Sequence, residues 1–386
     1  MTISNRIAAL QPEIAAWRRD LHAHPETRYE EHRTAAVVAQ KLREFGVDEV
    51  VTGLGRTGVV GVIHGRARAS GKVVGLRADM DALPIQEIVD RPYKSTVPGK
   101  MHACGHDGHT AMLLGAAKVL AETRNFDGTA VLVFQPAEEG GAGAKAMMED
   151  GFFERFGVQE IYGMHNRPGV PVGHFEIVTG PAMAASDRFE IAIEGRGSHA
   201  ARPQQSVDPL LVGAHIVTAL QGIIARNVDP LESAVLSVTI FRAGDTDNVI
   251  PQTAQLAGTV RTFKAHIQDM VEQRMGALAA SIAAGFGASA TLDFRRGYPV
   301  LVNEPSATAF AASVAAQVSG HVNANAAPVM GGEDFAFFLE KVPGAFINVG
   351  IGNTAALHHP AYDFNDEAIP AGVAYWQRLI ETRMAA

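Results

Sequence analysis

The chain has 386 residues, 47% of them hydrophobic and 19% charged, the balance of a globular protein with a sizeable core. Lys and Arg number 33 against 41 Asp and Glu, a formal net charge of −8, which argues against nucleic acid as a main partner, since phosphate binding needs a basic face. The single cysteine, Cys104, has no mate for an internal disulfide and fits a reducing cytoplasm.

The opening stretch MTISNRIAALQPEIAAWRRD has no basic flank ahead of an apolar run, so no secretory signal is expected. Ile14, Trp17 and Leu21 recur at helical spacing, as do Val37, Val38, Leu42 and Phe45. GLGRTGVVG (53–61) precedes a strand instead of linking strand to helix, so it reads as a turn and not a phosphate loop. Apolar strand-like runs follow at 58–65, 72–79, 129–136 and 161–166, with an apolar helix over 110–123. Strands of this kind alternating with helices predict a buried, mixed or parallel sheet.

Near residue 182 the pattern changes. Strands are expected at 187–195, 234–241, 253–263 and 289–296, and helices at 206–226 and 268–286, with Asp208 and Pro209 near the start of the first helix. That order, βαββαβ, is the ferredoxin-like motif. It predicts an inserted domain over 182–294 between two parts of an α/β domain, 1–181 and 295–386. Helices at 305–318, 333–341 and 367–383 and a strand at 345–351 complete the second part. The weakly apolar stretch 277–292 is too short to span a bilayer.

Chemistry concentrates at the strand ends. MHACGHDGHT (101–110) sets Cys104 and His106 two apart on a loop, a thiolate and an imidazole suited to zinc and its transition-series neighbours. Cys104 alone would pass for a small buried hydrophobe; the cluster does not. FQPAEEGGAG (134–143) ends a strand with Glu138 and Glu139, of which one can bind metal while the other stays free as a general base. Asp79 and Asp81 close RADMD, His165 closes a strand in GMHN, and His358 and His359 lie in a later loop. Acids and histidines gathered at one sheet edge carry a desolvation cost that a shared divalent metal site removes. The candidates outnumber the ligands of one tetrahedral ion, so two ions are expected. Glu333 and Asp334 read either as a helix N-terminal carboxylate pair or as pocket lining.

RADMDALP, MHACGHDGHTAMLLGAAKVL, FQPAEEGGAGAKAM, GSHAARP, DNVIPQTAQLAGTVRTF, GGEDFAFF and LHHPAYDF together resemble the M20 metallopeptidases. Within that family the resemblance is to the amidohydrolase branch: hippurate hydrolases, N-acyl-amino-acid amidohydrolases and plant auxin-conjugate hydrolases. It runs from about Leu21 to Glu367. It implies a zinc-peptidase-like α/β catalytic domain with an inserted ferredoxin-like lid or dimerisation domain. It implies two divalent metal ions per subunit, Zn2+ or Mn2+ foremost with Ni2+ and Co2+ open, on Cys104, His106, Glu139, His165 and His358. The second histidine in LHHP leaves His359 as the alternative to His358, though the leucine before and the proline two positions after His358 favour the latter. The resemblance further makes Glu138 the general base, Asp81 the acid that orients a ligand, and His199 a lid histidine that polarises the substrate carbonyl. Asn248 and Arg261 become contacts to the substrate carboxylate or the tetrahedral intermediate.

The implied reaction is hydrolysis of the amide bond of an N-acyl amino acid by water activated by metal and Glu138. Competing readings are a dipeptidase, a carboxypeptidase or an N-acetyl-diaminopimelate deacetylase of the same chemistry, an enzyme with Cys104 as nucleophile, and an inactive metal-binding scaffold. The implied partners are a small-molecule substrate and a second subunit in a homodimer, with no nucleic acid and no membrane. FEIAIEG (189–195) is expected to supply an edge strand for that dimer, and LLVGAHIVTALQGI (210–223) an apolar helix face.

Overall fold

The computed structural model describes residues 3–385. Residues 1, 2 and 386, at the outer ends of the two expected catalytic segments, lie outside the described residues. Ser4 starts helix α1 (Asn5–Ala23), its hydroxyl accepting the Ile7 N–H at 3.3 Å. The helix extends upstream of the Ile14, Trp17 and Leu21 pattern to Asn5, with Pro12 inside it, and Ile7 and Leu10 bury in the same core as Ile14. Helix α2 (His32–Glu44) buries Val38, Ala39 and Leu42.

The chain continues through β1 (Glu49–Leu54), β2 (Gly58–His64), β3 (Val73–Asp79), helix α3 (His106–Thr123), β4 (Thr129–Gln135), β5 (Glu160–Arg167) and β6 (Phe175–Ile177). With Val322–Asn323 and Gly344–Gly350 these strands form one eight-stranded sheet, ordered β1, β2, β4, β3, β5, Gly344–Gly350, β6, Val322–Asn323. β4, β3, β5 and Gly344–Gly350 run parallel, so their C-terminal ends share one edge of the sheet. β1 and β2 pair antiparallel, and β2 joins β4 antiparallel. β2, β3 and β4 are buried almost from end to end, as strands covered on both faces are. β1 leaves Glu49, Thr52 and Gly53 exposed, and β6 has three residues; neither offers an apolar run to read.

The chain divides into two compact units. The first is the chain up to Ala182, Val302–Ala327 and the chain from Asp334 onward; the second is Met183–Leu301 with Pro328–Glu333. The second unit runs past the expected limit of 294 because strand Ser289–Tyr298 keeps pairing beyond an irregularity, Tyr298 opposite Ser186. The helix expected over 333–341 shrinks to Ala336–Leu339. Asp334 does not open it: its carboxylate takes hydrogen bonds from Arg77, Gln135 and the Ala144 N–H.

In the second unit four antiparallel strands are ordered Ala234–Ala243, Thr253–Thr262, Ala185–Glu194, Ser289–Tyr298. With two helices this is the ferredoxin-like arrangement. Asp208 caps helix Pro209–Asn227, accepting the Leu210 N–H at 2.9 Å. That helix is apolar and long enough to cross a membrane by composition, yet Val212, Ile216, Leu220 and Ile223 pack into the core of this unit. FEIAIEG is not an edge strand. Phe189, Ile191 and Ile193 alternate inward, and the strand is bonded on both sides, which leaves Ala234–Ala243 and Ser289–Tyr298 at the edges.

Candidate metal centre

The sequence sets Cys104 and His106 on a loop ahead of a helix at 110; the structure starts α3 at His106. Gly105 makes the difference. Its φ is 91°, and a Cβ there would lie 2.3 Å from Asn166 Nδ2 and 2.5 Å from the Tyr362 hydroxyl, so no other residue turns this corner. The turn leaves Cys104 just before the helix and His106 on its first turn, both buried.

The five candidate ligands come together within the first unit. Cys104 Sγ lies 3.4 Å from His165 Nε2, and the ligand atoms of Cys104, His106 and His165 all fall within 4.8 Å of one another. Cys104, Glu139 and His358 form a second such group, and His106, Glu138 and Glu139 a third. Cys104 thus belongs to two overlapping triads, and Glu138 sits beside both sets. His358, not His359, joins the cluster: its backbone is left-handed (φ 64°) and its N–H donates to the Ala103 carbonyl at 2.8 Å. His359 Nδ1 instead accepts the Ala361 N–H at 3.1 Å.

A layer of hydrogen bonds orients these groups. Asp81 Oδ1 lies 3.3 Å from His106 Nδ1, and the same carboxylate accepts the N–H groups of Glu138 (3.0 Å) and Glu139 (2.9 Å). His165 Nδ1 contacts the Asn166 carbonyl at 2.7 Å, which turns Nε2 toward Cys104. Asn166 donates to the Cys104 carbonyl (2.6 Å) and accepts the Tyr362 hydroxyl (2.8 Å). His109 is also near an acid and a histidine, in a group with Asp79 and His106, but both its nitrogens are spent: Nδ1 on Asp79 (2.6 Å), Nε2 on the Asn166 N–H (2.9 Å). It orients and does not ligate. Asn166, Tyr362 and the buried acid Glu31 escape a reading of the sequence, where each is an ordinary polar residue and only tertiary pairing reveals its place.

The donor set fits divalent ions. His106 Nε2 and Glu139 Oε1 are buried without an aligned hydrogen-bond partner, although His358 Nε2 approaches Glu139 Oε1 at 3.1 Å. The protonation balance points the same way. Burial pushes the Cys104 thiol up, helped by Glu139. Cys104 and Glu139 beside it raise His358 to about 10. Burial would lower His106, but Asp79 and Cys104 outweigh it and hold that imidazole well above its usual value. His165 is instead pushed well below its usual value, by burial first, and Glu139 is held below its own; the raised imidazoles of His106 and His358 mark the negative charge beside them, which a cation would balance.

His199, Asn248 and Arg261 belong to the second unit. His199 pairs with Val249 across a two-stranded ribbon, and the Ala200 N–H donates to the Asn248 carbonyl at 3.0 Å, so His199 and Asn248 are close neighbours. Arg261 lies half-buried on strand Thr253–Thr262; it donates to the Val260 carbonyl at 3.0 Å, and burial lowers its pKa.

Residues 75–382 match peptidase family M20/M25/M40. The chain is 41% identical to an N-acetylcysteine deacetylase of Bacillus subtilis (strain 168), over 96% of this chain and 97% of the relative. It is 42% identical to a hippurate hydrolase of Campylobacter jejuni, over 98% of each, and 41% identical to IAA-amino acid hydrolase ILR1-like 5 of Arabidopsis thaliana, over 92% of this chain and 83% of the relative. Among solved structures it resembles the Bacillus subtilis YXEP protein, described as a dinuclear metal-binding peptidase, with a TM-score of 0.86 and 38% identity over 98% of this chain and 99% of that one.

Proposed function

The chain belongs to peptidase family M20/M25/M40, and from that premise we propose how its residues divide the work of its reaction, the metal-dependent hydrolysis of the amide bond of N-acyl amino acids. Two divalent ions serve it, and Cys104, His106, Glu139, His165 and His358 are the residues that would hold them. When bound, such ions make water more acidic and stabilise negative charge on oxygen. Glu138 takes the proton of the attacking water and passes it to the leaving amine nitrogen. Asp81 fixes His106 and the backbone of both glutamates. His199 donates toward the substrate carbonyl oxygen, with Asn248 beside it, and Arg261 pairs with the carboxylate of the amino-acid half.

The observation that carries this reading is the pair of ligand triads sharing Cys104, with the Glu138 carboxylate within 4.8 Å of the His106 and Glu139 ligand atoms. The test is turnover of hippurate and N-acetyl-amino acids by protein reconstituted with Zn2+ or Mn2+. Activity lost to a chelator and restored by metal supports it; activity indifferent to chelation favours Cys104 as a nucleophile. A second reading has an observation of its own: the chain is 39% identical to thermostable carboxypeptidase 2 of Saccharolobus solfataricus. Peptides with a free C-terminus, assayed beside the acyl amino acids, decide between them by kcat/KM.

We place the protein in the cytoplasm, on its lone cysteine, and as a homodimer joined through the second unit. That unit exposes Leu210, Leu211, Ile240 and Phe241, the last two on the edge strand Ala234–Ala243.

A further inference from the structure

The turn that carries Glu138 is held by three consecutive backbone N–H groups, each pointing at a buried carboxylate. Glu138 and Glu139 donate to Asp81 (3.0 and 2.9 Å). The first of the three, Ala137 N–H, donates to Glu31 Oε1 at 2.8 Å. Glu31 comes from the loop before α2, is fully buried, and has its second oxygen occupied by the Thr57 hydroxyl at 2.6 Å.

Ala137 needs such a hold. Its backbone is left-handed (φ 52°, ψ 42°), a conformation an alanine keeps only where its surroundings over-determine it. Ala142, at the far end of the same turn, is left-handed too (φ 57°). Neighbours of Glu31 grip the turn from outside: Arg28 donates to the Glu139 carbonyl (3.0 Å) and the Tyr29 hydroxyl to the Gly141 carbonyl (2.7 Å). A buried carboxylate is a costly device for holding an ordinary loop. Here it fixes the corner where β4 ends and the two glutamates begin.

We propose that Glu31 is a positioning residue for the amide hydrolysis, fixing through the Ala137 N–H the left-handed turn that delivers the Glu138 carboxylate to the ligand cluster. This rests on the role of Glu138 given above. Glu31 touches neither substrate nor metal ligand side chain; it acts through one peptide group, and a displacement of that group by an ångström is enough to misplace a reacting carboxylate.

The experiment compares Glu31→Asp and Glu31→Gln in the full-length, metal-loaded protein. Aspartate keeps charge and burial but withdraws the acceptor by about 1.5 Å. Glutamine keeps the reach: its carbonyl accepts the Ala137 N–H, and its amide donates to a rotated Thr57 hydroxyl. Expected for Glu31→Asp is a fall in kcat of about 10- to 100-fold with KM within two-fold. Hydrogen exchange should quicken in the peptide spanning 136–142 and nowhere else. Glu31→Gln should recover kcat to within about three-fold of wild type, and in a Glu138→Gln background Glu31→Asp should lower the residual rate no further. A kcat for Glu31→Asp within two-fold of wild type overturns the proposal. So does an equal loss in both variants with exchange raised across the whole chain, which marks a structural role only. Should wild-type protein hydrolyse no N-acyl amino acid, the functional reading falls. The exchange measurement then still judges the hold, and unchanged exchange over 136–142 in Glu31→Asp overturns it.

Discussion

Cys104 shows how strongly a site depends on its ion. Buried beside Glu139, its thiol is pushed above the usual value, whereas a coordinated divalent cation holds a thiolate outright. Serine in its place offers no soft ligand. Cys104→Ser should weaken metal affinity by on the order of 100-fold and abolish the thiolate-to-metal charge-transfer absorption of Co2+-loaded protein, with part of the activity returning in excess metal. Absence of that band from Co2+-loaded wild-type protein, whose one thiol is Cys104, would remove Cys104 from the ligand set. The sequence shows this residue plainly, because five metal-prone side chains crowd into eight positions, although His109 and Asp107 are bonded elsewhere in the fold. It does not show the groups that aim them: Asn166 reaches the Cys104 carbonyl and Tyr362, and Glu31 reaches Ala137, across separations of 62, 196 and 106 residues. Such pairings exist only in the fold.

At the scale of elements, the site is an edge of parallel strands completed by a helix start. The strands were legible because burial on both faces gives unbroken apolar runs. The start of α3 was not, since the apolar pattern begins at 110 and the turn before it depends on one glycine. Gly105→Ala meets both a φ of 91° and a Cβ contact of 2.3 Å. A destabilisation of about 2–4 kcal/mol is expected, read as a lower denaturation midpoint together with weaker metal binding; a neutral effect on both would contradict this account of the corner. Helices α1 and α3 are also joined by charge. His22 Nδ1 lies 2.9 Å from Asp107 Oδ2, with Glu87 at its other nitrogen. Burial alone would lower the His22 pKa, but Asp107 and Glu87 outweigh it and raise the value from 6.5 to about 9. The charged form is thus favoured in the folded state. Its stabilisation is fully present below pH 6.5 and fades as pH rises through about 9. Replacing His22 with Gln should flatten that decline in denaturant titrations between these limits. A slope equal to wild type would show that another group sets it.

For the whole molecule, the ferredoxin-like order of the second unit follows from strand-like and helix-like runs that the sequence displays, the first helix marked by Asp208 and Pro209, but strand position within the sheet does not. FEIAIEG has the alternation of a strand with one wet face, and nothing in it tells a central place from an edge. The assembly prediction therefore moves to the strand Ala234–Ala243 and to Leu210 and Leu211. Light scattering should give a dimer, and Leu211→Lys with Phe241→Lys should shift it to monomer. A wild-type monomer at working concentration would refute the homodimer. The central claim is that the strand-edge cluster is a metal centre at which Glu138 moves the proton of amide hydrolysis. Its most direct test is the single-turnover rate of hippurate or N-acetyl-amino-acid cleavage by Glu138→Gln protein shown to carry two equivalents of metal. The expected result is a rate lower by about 10²- to 10⁴-fold at unchanged metal content. A rate near wild type, with both metals in place, would contradict it.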